Sequence, residues 1–178
     1  MKKITKRKTK SKKIKKPSEA LNQIKHKKGG LVAGKAKFGF VVADFNEYFT
    51  NMLLEGAVDT LSQFGVKPNA IDVYHVPGSF EIPLMVQKLN KKKKYDCLIT
   101  LGMVIRGETR HFNHVVDAAA AGTMSATLAA DIPVIHGVIA AENYDQAIDR
   151  CGGKMGHKGR EAAKAAIEMT NLIQVHLA

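Results

Sequence analysis

The stretch GMVIRGETRHFNHV at residues 102–115 changes character midway. An apolar run that opens at Cys97 stops at Ile105, and Arg106, Gly107, Glu108, Thr109, Arg110 and His111 follow at once. If Gly107, Glu108 and Thr109 open a helix, their free N–H groups and the helix dipole favour an anion. Arg106 and Arg110 stand beside them, and Arg150 and Lys158 lie in the glycine-broken segment Arg150–Gly159. Phosphate is a natural partner, because the guanidinium fork matches it bidentately. His111, one turn into the helix, is suited to moving protons near neutral pH. The same residues also have plain structural uses. A histidine after a strand often only packs, Glu108 is a favourable first-turn carboxylate, and Arg150 suits a helix C-terminus. Phe45 and Phe80 offer walls for a planar ring. Asn46, Ser79 and Glu81 offer hydrogen-bonding partners for a polyol. No Cys/His cluster has zinc spacing, so no metal site is expected. Neither GxGxxG nor a Walker A sequence occurs, so ordinary dinucleotide or ATP binding finds no support.

These residues must be positioned by the elements between them. Phe38–Val42 reads as a short apolar strand, and Phe49, Leu53, Ala57, Leu61 and Phe64 mark one helical face that ends at Gly65. Ile71–Val76 is a second strand, followed by a helix over Glu81–Lys92 with Ile82, Met85, Val86 and Leu89 inward. The third strand lies within Asp96–Ile105, and an alanine-rich helix runs from about Thr109 to Ala130. Pro133–Ile139 is the fourth strand. Helices near Tyr144–Cys151 and from Glu161 to about Gln174 complete the pattern. Apolar strands separated by helical crossovers predict a four-stranded parallel sheet covered on both faces, a three-layer α/β/α sandwich of flavodoxin-like type. In such a sheet ligands bind outside the carboxyl ends of the strands. Those ends are where Asp44–Asn46, Pro77–Glu81, Arg106–His111 and Ala140–Glu142 fall.

Charge divides the chain. Residues 1–28 hold thirteen of the 28 Lys and Arg but only Glu19 of the 16 acids, so they carry the whole net charge of +12 and the remainder is neutral. This Lys-rich, aperiodic segment cannot bury enough surface to offset its ordering entropy. Residues 1–30 are therefore expected to be a disordered tail, hinged at Gly29-Gly30, and 31–178 a single domain. The tail suits a polyanion such as nucleic acid, or serves solubility alone. The basic start leads into no apolar segment, no run is long enough for a membrane helix, and Cys97 and Cys151 read as buried thiols, which together point to a cytoplasmic protein.

Four segments in order, DFNEYFTNMLLEGA, VPGSFEIP, ITLGMVIRGETRHF and ENYDQAIDRCGGKMGHKGREAAKAAIEM, resemble the lumazine synthase family of riboflavin biosynthesis, over about Phe38 to Leu172. The resemblance implies condensation of a ribitylamino-pyrimidinedione with 3,4-dihydroxy-2-butanone 4-phosphate, releasing phosphate and water, without a cofactor. It implies that Phe45 stacks on the pyrimidine and that Asn46, Ser79, Phe80 and Glu81 hold the ribityl side and ring edge. Backbone groups of Met103, Val104 and Ile105 would contact the heterocycle. Gly107, Glu108, Thr109 and Arg150 would bind phosphate, His111 would transfer protons, and Lys158 would reach the ribityl or ring region from an adjoining subunit. His136 stands where the family has an aromatic residue on a strand wall facing a neighbour's site. His114, Asn113 and His157 replace a usual Tyr, Asp and Asn. Family members are pentamers, some assembled into sixty-subunit shells, and the short Gly152–His157 linker permits a shell. Other uses of the same features are a flavin- or lumazine-binding paralogue without turnover, and nucleic-acid binding through the tail.

Overall fold

A computed structural model of the chain describes residues 24–177. Four strands and five main helices alternate: β1 (Phe38–Ala43), α1 (Glu47–Gln63), β2 (Ile71–Val76), α2 (Ile82–Asn90), β3 (Cys97–Ile105), α3 (His111–Leu128), β4 (Val134–Ala141), α4 (Tyr144–Arg150) and α5 (Lys158–His176). A short 3₁₀ turn at Pro68–Ala70 leads into β2. The sheet order is β2-β1-β3-β4, and every pairing is parallel. The predicted four-stranded parallel sandwich is thus the observed fold. Much of the expected tail, residues 1–23, lies outside the described residues.

The period of two along the strands sorts their side chains between two cores. Phe38, Phe40 and Val42 of β1 join Cys97, Ile99, Leu101 and Met103 of β3 under α1 and α5. Val41 and Ala43 join Leu98 under α2 and α3, against Ile82, Val86 and Leu89. Both faces are therefore apolar, which is why β1 and β3 are continuous hydrophobic runs. Each fully buried Phe, Leu or Ile here contributes roughly 1.5–3 kcal/mol. The outer strands are less enclosed: in β2 only Val76 is buried, and in β4 only Val134, Gly137 and Ala141 are.

Three boundaries differ from those expected. β4 continues to Ala141, because its last residues still pair with Val104 and Ile105. α3 starts at His111, so Gly107, Glu108 and Thr109 form the loop before it rather than its first turn. α5 starts at Lys158, because the His157 ring nitrogen Nδ1 accepts from the Arg160 N–H and caps the helix. The expected hinge also takes a different form. Asn171 Nδ2 donates to the carbonyls of Gly30 and Val32, and a side chain at Gly29 would collide with the Glu168 carbonyl oxygen. Gly29 and Gly30 are thus docked along α5.

Candidate active site

After β1 the chain turns to β2 on one side, and β3 continues the sheet on the other. The carboxyl end between β1 and β3 is therefore the switch point, where the crossovers diverge and leave a crevice. A cavity of about 640 Å³ opens there. Its walls come from three strand ends: Phe45 after β1, Pro77–Glu81 after β2, and Met103–Ile105 with Gly107, Thr109 and His111 at the end of β3 and beyond.

Each wall is held by local chemistry. The Asp44 N–H donates to the Val76 carbonyl at 2.8 Å and the Phe45 N–H to that of Pro77 at 3.0 Å, extending the β1–β2 ladder into the loops. Asn46 then takes a left-handed backbone, φ 62°, and its Nδ2 donates to the Met103 carbonyl at 2.9 Å. Asn is one of the few residues that enter this region readily. The Pro77–Glu81 loop closes with the Glu81 N–H donating to Gly78. Ser79 is buried, and it fits only because position 102 is glycine: a Cβ there would stand 2.5 Å from Ser79 Oγ. The Met103 side chain belongs to the core, so this residue offers the cavity its backbone. Its carbonyl is already engaged by Asn46.

Arg106 departs from its expected use. Its guanidinium grips the Glu142 carboxylate through Nε and Nη2, donates from Nη1 to Asn113 Oδ1 at 3.0 Å, and lies 4.1 Å over the Phe112 ring. The Glu142 hydrogen bonds raise the Arg106 pKa, and Arg106 in turn holds the Glu142 carboxyl below the usual range. Arg106 therefore ties β3, β4 and α3 together instead of lining the cavity. Asn113 supplies that acceptor as a neutral amide. Thr109 Oγ1 accepts from the His111 N–H at 3.4 Å, steering the chain into α3.

Of the residues singled out in the sequence, the structure brings together Phe45, Ser79, Phe80, Glu81, Met103, Val104, Ile105, Gly107, Thr109 and His111 around this cavity. Pro77, Gly78, Phe112 and Val115 complete the lining; Phe112 and Val115 were missed because their inward direction depends on where α3 begins. A profile of the 6,7-dimethyl-8-ribityllumazine synthase family matches residues 35–174. The chain belongs to that family. Membership indicates a lumazine synthase function in riboflavin biosynthesis, and a transferase acting on small molecules.

Five expected residues of the lumazine synthase site do not line the cavity. Asn46 lies in the adjacent groove of about 530 Å³, with Tyr48, Tyr144 and Ile148, on the far side of Phe45. Glu108 is exposed in the loop before α3. Arg150 is in the last turn of α4, and Lys158 begins α5 with its Nζ 2.6 Å from Glu161 Oε2. His136 sits mid-strand on β4, opposite Thr100. Its ring is open at the surface, yet neighbouring atoms displace enough water to lower its pKa. Among the described residues, no group of three or more His, Cys, Asp and Glu is placed to hold a metal ion. Nor is any helix among them long and apolar enough to cross a membrane.

Proposed function

We propose that this lumazine synthase condenses 5-amino-6-(D-ribitylamino)uracil with 3,4-dihydroxy-2-butanone 4-phosphate, releasing phosphate and water, in the penultimate step of riboflavin biosynthesis. The observation that carries this reading is one cavity whose walls include both an exposed aromatic ring, Phe45, and an imidazole, His111. Phe45 stacks on the pyrimidine. Ser79, Phe80 and Glu81 hold the ribityl chain and ring edge, and Asn46 meets the substrate from the other side of Phe45. Backbone groups from Met103 to Ile105 read the heterocycle. Gly107, Glu108 and Thr109 receive the phosphate, which leaves the amine-condensed ketone near His111.

The chemistry needs little more. Joining an amine to a ketone, expelling phosphate and closing a ring require several proton transfers, and one imidazole serves them in turn. Holding two reactants together supplies much of the acceleration. No cofactor enters this scheme.

Among the described residues no Lys or Arg lines the cavity, and Arg106 is engaged with Glu142. That supports assembly in which an adjoining subunit contributes Arg150, Lys158 and the His136 wall. The broad exposure of Phe45, Phe80, Met124 and Leu128 supports the same arrangement, because such side chains gain by burial. We take the assembly to be a pentamer, with a sixty-subunit shell open to it. Residues 31–178 form the catalytic domain in this reading, and the protein acts in the cytoplasm.

Steady-state assays with both substrates test the residue roles. His111→Ala is expected to lower kcat by about 10²–10⁴-fold with an unchanged thermal midpoint, since His111 is exposed. Arg150→Ala is expected to raise KM for the phosphate substrate selectively. Turnover at the wild-type rate by both variants rejects the assignment.

A further inference from the structure

The two neighbours of Phe45 are tied to different strands. Asp44 Oδ1 accepts from His75 Nδ1, 2.8 Å away on β2. Asn46 Nδ2 donates to Met103 on β3. Phe45 itself is 71% exposed within one subunit, so packing inside that subunit does little to hold its ring. Its direction is set by what fixes the residues on either side.

We propose that Asp44 and His75 form a positioning clasp that sets the angle at which Phe45 meets the substrate ring. The inference rests on the reading of Phe45 as the ring-stacking residue. Asp44 lies just past β1, and His75 pairs with Val42, two residues before it. Successive side chains alternate between faces, so Asp44 and His75 are diagonal neighbours on one face. An ionised carboxylate only accepts, and the imidazole supplies the N–H. Among the described residues β2 is the edge strand, so within one subunit no further strand holds the outer side of this loop. Asn46 anchors Phe45 towards β3, and the clasp anchors it towards β2. Without the clasp, the β2 side retains only the two backbone bonds from Asp44 and Phe45. Both clasp side chains are about half exposed, 49% and 56%, so the pair adds little to global stability. Its effect is local, on the presentation of one ring. Neither residue lines the main cavity, so neither is catalytic.

The test uses the full chain, with each substrate varied in turn. Asp44→Ala and His75→Ala are expected to raise KM for the ribitylamino-pyrimidine about five- to tenfold. KM for the phosphate substrate and kcat stay within about twofold, because the lost interaction serves binding of one substrate. His75→Gln, which keeps a donor for Asp44, brings the pyrimidine KM back to within about twofold of wild type. Phe45→Ala is the control and raises the same KM further. If Phe45→Ala leaves that KM unchanged, the ring-wall reading itself fails. If Phe45→Ala raises it while both clasp variants match wild type, the clasp alone is refuted. Equal losses in both KM values and kcat, with a lowered thermal midpoint, also overturn the clasp, because they mark a merely structural role.

Discussion

The two ends of the sheet use similar groups to opposite effect. At the amino end, Tyr95 Oη donates to Asp72 Oδ2 at 2.7 Å, Lys94 Nζ reaches the same oxygen at 2.6 Å, and the Tyr74 hydroxyl lies 2.6 Å from that of Tyr95. Lys94 and Tyr95 hold the Asp72 carboxyl below the ordinary range. Tyr95 is buried, and these groups satisfy one another. At the carboxyl end, Arg106, Glu142 and Asn113 form a comparable cluster. Beside it Phe45, Phe80 and His111 face an open cavity. The same hydrogen-bonding chemistry closes one end and frames an opening at the other. Polar groups that satisfy one another contribute stability, and groups left facing a cavity are available to a ligand. Substitutions at the two ends should therefore separate activity from stability.

Gly102→Ala breaks the comparison most strongly after His111→Ala, because it acts on both quantities. The new Cβ meets Ser79 Oγ, and the Val138 methyls at 3.3 Å limit its escape. The expected cost is about 1–3 kcal/mol in denaturant unfolding, with a larger pyrimidine KM as the Pro77–Glu81 loop moves outward. An unchanged KM counts against Ser79 as part of the ring-edge wall.

Tyr95→Phe probes the closed end alone. It removes one donor to Asp72 and the bond to Tyr74, which should lower unfolding free energy by about 1 kcal/mol and leave kcat and both KM values as they were. A loss of activity in the remaining folded protein would mean that the two ends are coupled.

His157 sharpens the comparison through pH. Burial first, and the Arg160 charge second, lower its pKa. The ring must be neutral at Nδ1 to accept from the Arg160 N–H. An unfolded histidine gains its proton near the ordinary value of 6.5, whereas folded His157 resists until lower pH. Stability from this group is therefore complete above about pH 6.5 and is lost as pH falls from there through the lowered folded value. His157→Asn keeps a capping side chain and removes the titration. Thermal midpoints followed downward from pH 7 should fall less in the variant than in wild type. Parallel curves would exclude this contribution.

The smallest effect belongs to Thr123, whose Oγ1 is buried without a hydrogen-bond partner. Thr123→Val replaces that hydroxyl with a methyl group of similar size. It should raise unfolding free energy by up to about 1 kcal/mol without touching turnover.

Much of this arrangement was legible in the residues alone. The runs at Phe38–Val42 and Cys97–Ile105 announce strands covered on both faces, and the four-residue steps from Phe49 to Leu61 announce the helix that covers one of them. That Phe45, Ser79 and His111 line one crevice was readable because they follow strand ends, where a parallel sheet binds ligands. What was hidden depended on tertiary partners. Arg106 looks like a phosphate ligand until the pairing of Ile105 with Ala141 brings Glu142 beside it. The start of α5 was hidden because a histidine, seldom a helix cap, takes that place. Its ring lies where a Cβ on Gly56 would stand within 2.2 Å, a fit between helices that spacing along the chain does not reveal. The separation of Arg150 and Lys158 from the cavity likewise follows from the path of α4 and α5, not from any local pattern.

The central claim is that the cavity beside Phe45 and His111 carries out a condensation and does more than hold a ring. Wild-type protein given 5-amino-6-(D-ribitylamino)uracil and 3,4-dihydroxy-2-butanone 4-phosphate tests it directly, with lumazine fluorescence and released inorganic phosphate followed together. The account predicts that both appear in equal amounts over many turnovers. Ligand binding with neither fluorescence growth nor phosphate release would contradict it.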